Sequence, residues 1–260
     1  MTAGLPSDDG LTVREQPFEA AFLGGPVWRM QCAAPATEEK IAALLGTARR
    51  RSVRLVLCRL PEGSPMAGPL QRAGFRPLES LVTYKFDLAE RDLGAGFPVP
   101  PFPGPPAPAN LALPDDRAGC VAIASRAFSF DRFHRDRDRL GDVGDRIKAA
   151  WVDNAFAGRA DAILVTRHGD RPTGFVLCQR SGDAAFIDLI AVDPAFRGKG
   201  LGRILVRGVL EHYAGSAPLV RVGTQDDNTA SNRLYQSIGF QPVDRQTTFH
   251  WTPDSLPCAP

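Results

Sequence analysis

A glycine-rich loop lies between an apolar strand pattern, residues 186–192, and an amphipathic helix pattern that carries Ile204 and Leu205 on one face. Glycine lets the backbone approach a ligand, and N–H groups at a helix N-terminus lie at the positive end of the helix dipole. The composition therefore predicts a cradle for a pyrophosphate. The predicted phosphate-binding residues are Arg197, Gly198, Lys199, Gly200, Leu201 and Gly202. The loop has neither the G-K-[ST] ending of an NTPase loop nor the glycine register of a dinucleotide fingerprint.

A second group of chemically capable residues lies about 30 residues downstream. Tyr235 carries a phenol that stays protonated at neutral pH and can give its proton to a departing anion. Asn228 precedes it by two helical turns and would lie on the same helix face. The pair predicts a proton donor and a ligand-binding amide. The alternatives are a tyrosine packed against a sheet and an ordinary N-cap asparagine.

Asp188 is the acidic residue of the strand pattern. Strand alternation predicts that residues 186, 188, 190 and 192 share one face and that 187, 189 and 191 share the other. A carboxylate among apolar neighbours is expected to line a cleft, where it would take a proton as a base, directly or through water. The alternative is a structural or substrate-orienting carboxylate.

Proline indicates how these elements are organised along the chain. Residues 94–114 contain eight prolines and predict an extended linker. Both flanking parts alternate helix-like and strand-like patterns, which is typical of α/β proteins. We therefore predict an N-terminal domain over residues 1–93 and a catalytic domain over residues 115–254.

A weak internal repeat relates the two predicted domains. The segment PLQRAGFRP, residues 69–77, aligns with LYQSIGFQP, residues 234–242, at an offset of 165. At that offset Tyr235 aligns with Leu70, and Asn228 aligns with Gly63. The N-terminal domain is thus predicted to share the strand and helix order of the second domain but to lack its chemically functional residues.

Composition and charge exclude several classes of function. The chain has 31 basic and 29 acidic residues, so its net charge gives no reason to expect nucleic acid or a membrane as partner. Its five cysteines form no C-x-x-C pair and its four histidines no H-x-H or H-E-x-x-H motif, so no metal site is expected. We find no apolar run of membrane-spanning length and no signal-peptide pattern, and expect a cytoplasmic protein; a homodimer stays open.

The glycine loop in VDPAFRGKGLG resembles the acyl-CoA-binding motif of the GNAT N-acetyltransferase superfamily. The later segment NTASNRLYQSIGF, residues 228–240, resembles the N-x-x-A-x-x-x-Y, G-F element of the same superfamily. This resemblance covers roughly residues 111–251 and implies an α/β GNAT fold: a mixed, mostly antiparallel sheet flanked by helices, here with a degenerate GNAT-like N-terminal domain. The segments at 127–136, 147–158 and 222–240 further resemble the dTDP-fucosamine acetyltransferase group.

The resemblance implies acetyl-CoA as cosubstrate and a role for each candidate residue. The strand backbone at Ile190, Ala191 and Val192 would bind the thioester carbonyl and the pantetheine arm, Asn228 would bind that arm, and Tyr235 would protonate the thiolate. The acceptor would be the primary amine of a nucleotide-linked 4-amino-deoxy-sugar, attacking directly. Candidate acceptor contacts are Arg132, His134, Trp151 and Asn154. The alternatives are an acyltransferase for another small amine and a non-catalytic acyl-CoA-binding module.

Overall fold

The computed structural model describes residues 7–8, 10–32, 36–89 and 108–254. The chain forms two compact units that are not consecutive blocks of sequence. The first unit comprises residues 1–81, 131–143 and 244–260, and the second comprises residues 82–130 and 144–243. Most of the predicted linker, residues 94–107, lies outside the described residues, and the domain boundaries at 93/94 and 114/115 stay predictions.

The first unit contains a sheet with helices on both sides. Its elements are β1 (Ser7–Asp8), β2 (Leu11–Glu15), α1 (Pro17–Leu23), β3 (Val27–Cys32), α2 (Glu38–Arg50), β4 (Leu55–Pro61), α3 (Ala67–Arg72), the start of β5 (Arg76–Asp87), α5 (Arg132–Arg135), α6 (Arg137–Leu140) and most of β11 (Gln241–Trp251). The strand order is β1-β2-β3-β4-β11-β5. Strands β3 and β4 are parallel, whereas β2 pairs with β3, and β11 with β4, in antiparallel fashion.

The hydrophobic core of the first unit lies on one face of this sheet. Helix α2 begins at a Thr37 cap, whose hydroxyl accepts a hydrogen bond from the Lys40 amide, and the helix buries Ile41 and Leu45. These side chains pack with alternate residues of β3 and β4, because side chains two apart on a strand share a face. The strand residues of this core include Trp28, Met30, Val56, Cys58, Phe249 and Trp251.

The second unit is larger and contains the predicted motifs. Its elements are the end of β5, β6 (Asn110–Leu111), α4 (Asp116–Ala127), α7 (Gly144–Asn154) followed by a π-helical turn (Ala155–Arg159), β7 (Ala162–His168), β8 (Arg171–Ser181), β9 (Ala184–Val192), a 3-10 turn (Pro194–Phe196), α8 (Leu201–Tyr213), β10 (Leu219–Gln225) and α9 (Thr229–Ile238). The strand order is β5-β10-β9-β8-β7-β6. Strands β6 to β9 are antiparallel, and β9 and β10 are parallel.

Two apolar clusters cover the two faces of the second sheet. Helix α8 buries Leu205 and Val209 against one face, and α4 buries Cys120 and Ile123 against the other. The alternation along β8 follows from this arrangement, because residues 175 and 177 face α4 whereas 176 and 178 face α8.

The two units share one order of elements. A strand, a helix, a parallel strand, a helix and a final strand follow one another as β3-α2-β4-α3-β5 and as β9-α8-β10-α9-β11. In each case the final strand pairs with the other half of the chain: β11 lies beside β4, and β5 lies beside β10. This exchange explains why the compact units are discontinuous in sequence. The predicted mixed α/β architecture, a mostly antiparallel sheet flanked by helices, is confirmed.

In the part of the chain that the structure describes, every helix is too short or too polar to cross a membrane.

Candidate active site

Strands β9 and β10 pair over only part of their length, which leaves backbone groups without a strand partner. Their parallel register runs from Leu219 opposite Ala184 to Val222 opposite Ile187, although both strands continue beyond it. Among the described residues, the edge of β9 that points away from β8 therefore has no strand partner from Asp188 to Val192. Unpaired amide and carbonyl groups of this kind can bind the amides of an extended ligand. The predicted binding residues Ile190, Ala191 and Val192 lie on this edge.

A β-bulge interrupts β9 at the same place. Leu177 of β8 lies opposite Leu189 and Cys178 lies opposite Ile187, so Asp188 has no opposite residue. The bulge makes the predicted simple alternation along β9 wrong. Ile187 faces α8 together with Ile190, whereas Leu189 packs with the α4 cluster on the other face. A bulge depends on pairing with β8, so the sequence of β9 alone carries no signal for it.

The glycine-rich loop leads from the end of β9 into α8. Gly198 and Gly200 have φ angles of 76° and 72°, which lie in the left-handed region that glycine adopts without strain. Gly200 is the N-cap of α8 and offers no side chain to the first turn, and the amides of Arg203 and Ile204 both bond to its carbonyl. The amides of Leu201 and Gly202 thus have no helical partner. An uncapped N-terminus of a 13-residue helix fits a phosphate group.

Two side chains of the loop are accounted for by contacts within the protein. Arg197 donates a hydrogen bond to the Ala127 carbonyl over 2.7 Å, and the Lys199 ammonium lies 4.9 Å from the centroid of the Phe196 ring. Both loop residues are exposed. The loop is therefore tethered to α4, and the backbone carries the features that fit an anion.

Asp193 anchors the start of this loop, a role that the sequence analysis missed. Its carboxylate is almost fully buried and accepts hydrogen bonds from the Ala195 amide, Arg126 and Arg171 at 3.1, 3.0 and 2.9 Å. Burial acts to raise the pKa of Asp193, but the Ala195 and Arg126 hydrogen bonds outweigh it, and the pKa lies below its usual range. The Asp-Pro pair after the strand was the available signal, since aspartate caps turns of this kind.

Asn228 begins α9, close to the end of β10. Its Oδ1 accepts a hydrogen bond from the Ser231 amide over 3.2 Å. The side-chain oxygen of Asn228 therefore acts as the N-cap of α9, as the alternative interpretation expected. Within the described residues the Asn228 NH₂ group makes no hydrogen bond, which leaves a donor for a ligand. Asn232, which was not predicted, fixes the turn before the helix by donating to the carbonyls of Gln225 and Asp226.

Tyr235 lies in the core of the second unit. Its side chain is 1% exposed, and its ring packs 5.8 Å from Tyr84 and 5.6 Å from Phe240 between centroids. Burial raises the pKa of Tyr235 above its ordinary value, so the phenol is protonated throughout the neutral range. Its hydroxyl makes no hydrogen bond to any described residue. The packing agrees with the alternative of a structural tyrosine, and proton donation stays a prediction.

Asp188 has two specific partners. Its Oδ2 accepts a hydrogen bond from the Trp151 indole N–H over 2.8 Å and lies 3.6 Å from a guanidinium nitrogen of Arg159. The indole ring also has the Lys148 ammonium and the Arg159 guanidinium over it, each 5.0 Å from the ring centroid. The Asp188 side chain is 20% exposed, so it lines the surface of the unit next to a cationic aromatic cluster.

The four predicted acceptor residues divide between the units. Trp151 contacts Asp188, and Asn154 is exposed at the end of α7 in the same unit. Arg132 and His134 belong to the first unit, where Arg132 pairs with Glu19 at 3.3 Å and His134 bonds to Asp131 at 2.8 Å. The sequence analysis assigned residues 131–143 to the catalytic domain because of their position in the chain.

The first unit has the same strand-helix-strand frame but no comparable loop. Only five residues, AAPAT, separate β3 from α2, and none of them is glycine. Eight residues that include two glycines separate β9 from α8. Among the described residues no group of three or more His, Cys, Asp or Glu side chains could hold a metal ion.

The chain is similar to a known protein family and to several characterised proteins. Residues 123–240 match the acetyltransferase (GNAT) family model. The spore coat polysaccharide biosynthesis protein SpsD of Bacillus subtilis (strain 168) is 30% identical over 158 residues, which cover 60% of this chain and 53% of that protein. A mycothiol acetyltransferase of Kineococcus radiotolerans is 34% identical over 158 residues, covering 59% and 46%. The chain thus spans about half the length of these relatives.

A solved structure extends the likeness over both units. A tandem GNAT protein from the clavulanic acid biosynthesis pathway aligns with a TM-score of 0.59 and 19% identity, covering 88% of this chain and 76% of that one. This likeness concerns the fold, and it agrees with the repeated order of elements described above. The family match covers residues 123–240, which is less than half of the chain, and the solved structure shows a likeness of fold alone.

Proposed function

We propose that this protein is an N-acetyltransferase that moves an acetyl or short acyl group from its coenzyme A thioester to the primary amine of a small molecule. The observation that carries this proposal is the continuous run from the unpaired edge of β9 to the uncapped N-terminus of α8. The strand edge suits the amide-containing pantetheine arm, and the helix N-terminus suits the pyrophosphate. No side chain is needed for either contact, so the backbone of residues 190–192 and 197–202 would hold the cosubstrate.

The reaction requires an amine nucleophile, a site for the oxyanion and a proton for the leaving thiolate. The amine nitrogen attacks the thioester carbonyl carbon, the C–S bond breaks, and the amine loses a proton as the thiolate gains one. Backbone N–H groups of β9 would bind the oxyanion. Tyr235 would supply the proton to sulfur, because burial keeps its phenol protonated. Asp188 would orient the amine or accept its proton through water, held in place by Trp151.

As acceptor we favour a nucleotide-linked 4-amino-deoxy-sugar. Support comes from the resemblance of residues 127–136, 147–158 and 222–240 to the dTDP-fucosamine acetyltransferase group and from the name of the SpsD relative. The mycothiol acetyltransferase relative favours a second candidate, an amine on a thiol precursor. A non-catalytic acyl-CoA-binding module is the third, and the retention of Tyr235 together with Asn228 argues against it.

The test measures release of the free CoA thiol from acetyl-CoA in the presence of dTDP- and UDP-linked amino-sugars, cysteine-conjugated amino-sugars and simple polyamines. Turnover with one 4-amino-sugar nucleotide supports the favoured acceptor, and turnover with a cysteinyl conjugate supports the second candidate. Tight acetyl-CoA binding without turnover of any amine would favour the binding module. Mass spectrometry of the product locates the acetyl group on nitrogen.

A further inference from the structure

Two cysteine thiols meet at the end of β3 in the first unit. The Cys32 and Cys58 sulfur atoms lie 3.9 Å apart, close enough for either thiol to donate a hydrogen bond to the other. Cys58 belongs to the hydrophobic core of this unit, and Cys32 packs against that core. Cys58 lies opposite Met30, and Cys32 follows Met30 by two residues on the same strand face. The fold thus brings together two thiols that are 26 residues apart in the sequence.

Within the described residues, the end of β3 at Cys32 is paired with β2 but not with β4. The parallel pairing of β3 with β4 reaches Met30 opposite Cys58, whereas Cys32 is the last residue of β3 and lies opposite Leu11 of β2. A disulfide would bring the two sulfur atoms from 3.9 Å to a bond length of about 2.05 Å. The end of a strand can make this movement more readily than its paired middle, because chain segments at the ends of elements open at little cost.

The two thiols differ in exposure and in acidity. Cys32 is partly exposed, whereas Cys58 is fully buried. A hydrogen bond from the Cys58 S–H holds the pKa of Cys32 below its ordinary value, against the opposing effect of burial. The same hydrogen bond, together with burial, raises the pKa of Cys58. An accessible thiolate is the form of cysteine that reacts with oxidants, and a second thiol beside it can resolve the oxidised group.

Two cysteines of the second unit provide a comparison within the same chain. Cys120 and Cys178 are both fully buried, and burial raises the pKa of each thiol to about 12. These thiols are neutral at physiological pH and out of reach of solvent, as is typical of cysteines that serve only in packing. Cys32 differs from them in its exposure, in its acidity and in the sulfur atom beside it.

We propose that Cys32 is a modification site for hydrogen peroxide and that Cys58 resolves the product to a reversible Cys32–Cys58 disulfide. In the first step the Cys32 thiolate attacks one peroxide oxygen and becomes a sulfenic acid. The O–O bond breaks, and the departing hydroxide takes up the proton that the thiol lost. In the second step the Cys58 sulfur attacks the sulfenic sulfur, the S–S bond forms, and the hydroxyl leaves with the Cys58 proton as water. The sulfurs lose two electrons, which reduce one peroxide to two waters.

Peptide mapping of the full chain tests this pair without requiring acetyl transfer. Trypsin places Cys32 in a peptide of residues 30–40 and Cys58 in a peptide of residues 55–59, and each peptide contains one cysteine. After treatment with hydrogen peroxide and alkylation of the remaining thiols, we expect these two peptides to be cross-linked to each other, and dithiothreitol to separate them. In the reduced protein, Cys32 should react with iodoacetamide at neutral pH at least about 10-fold faster than Cys120, because the rate follows the thiolate fraction.

The matched variants are Cys58→Ala and Cys120→Ala, since each removes one fully buried thiol. Without Cys58 the sulfenic acid on Cys32 has no resolving thiol, so its labelling by dimedone should rise several-fold above the wild type. In Cys120→Ala the cross-link should form and dimedone labelling should stay at the wild-type level.

Three results would overturn the proposal. The first is a wild-type map in which peroxide leaves Cys32 and Cys58 as thiols, and this result decides even if Cys58→Ala does not fold. The second is a disulfide that joins either cysteine to Cys258 or to a second chain. The third is equal dimedone labelling of Cys32 in Cys58→Ala and in the wild type. Because the map needs no acceptor amine, failure of the proposed acetyl transfer leaves the thiol pair standing, and the reverse also holds.

Discussion

The Trp151 indole N–H donates a hydrogen bond to Oδ2 of Asp188 over 2.8 Å, and so ties helix α7 to the bulge of β9. The bulge turns this carboxylate toward α7, and the indole fixes one of its oxygens. Within the described residues, no hydrogen bond reaches Oδ1, the oxygen that would face the amine in the proposed reaction. A guanidinium nitrogen of Arg159 lies 3.6 Å from the same Oδ2 and forms an ion pair with it.

Replacing Trp151 with phenylalanine removes this hydrogen bond and keeps an aromatic ring close to Lys148 and Arg159. A hydrogen bond to a charged group contributes about 1.5–3 kcal/mol, so we expect kcat/KM for the amine to fall by roughly 10- to 100-fold. The KM for acetyl-CoA should stay the same, because the backbone of the loop is unaffected. Steady-state kinetics with each substrate varied in turn measures both values.

The matched control is Trp251→Phe in the first unit, where the buried indole N–H makes no hydrogen bond to any residue that the structure describes. That substitution removes the same group without breaking a hydrogen bond, so activity should be unchanged. An equal loss of activity in the two variants would mean that Trp151 acts through packing and would contradict its role in positioning Asp188.

Tyr235→Phe tests the proton donor. The Tyr235 hydroxyl makes no hydrogen bond to the described residues, so its loss should leave the free energy of unfolding unchanged or slightly raised. Activity should fall by roughly 10- to 10⁴-fold if the phenol protonates the thiolate. Because burial raises the pKa of Tyr235, the acid stays protonated and no loss of activity with rising pH is expected from it below about pH 10.

Tyr84→Phe provides the comparison for Tyr235. The Tyr84 hydroxyl donates to Asn232 at 3.0 Å and accepts from Gln236 at 3.2 Å, so its removal should lower the free energy of unfolding by about 1–3 kcal/mol. Urea unfolding followed by circular dichroism measures this value. Full activity in Tyr235→Phe would mean that Tyr235 serves only in core packing and does not donate a proton.

Gly200→Ala tests the glycine-rich loop. Gly200 has a φ of 72°, and alanine in the left-handed region costs about 1–2 kcal/mol. The strain falls on the N-cap of α8, so the KM for acetyl-CoA should rise several-fold. Gly182→Ala, in the turn between β8 and β9 with a φ of 61°, applies the same strain away from the loop. Both variants should lose similar stability, and an unchanged acetyl-CoA affinity in Gly200→Ala would argue against a phosphate site there.

Local sequence signals predicted the parts of the site that depend on neighbouring residues. The strand, glycine loop and helix appear where the pattern placed them, and Asn228 begins its helix as its position indicated. The bulge at Asp188 was not predictable, because it arises from pairing with β8. The pairing of strands that lie far apart in the sequence could not be predicted either. The exchange of β11 into the first unit, and the placement of Arg132 there, depend on which sheet edge is free after folding.

His250 gives the first unit a specific dependence of stability on pH. Its ring is fully buried, and its Nδ1 bonds to the Asp136 carboxylate at 2.8 Å. Burial lowers the pKa of His250 below 6.5, and the Asp136 hydrogen bond opposes this without cancelling it. The unfolded chain therefore binds a proton near pH 6.5 that the folded chain does not, so stability is present above that pH and declines as the pH falls below it. We expect urea midpoints of the wild type to drop between pH 7 and pH 5, and the drop to be smaller in His250→Gln. An equal drop of the urea midpoint in both proteins would show that titratable groups other than His250 cause the loss of stability at acidic pH.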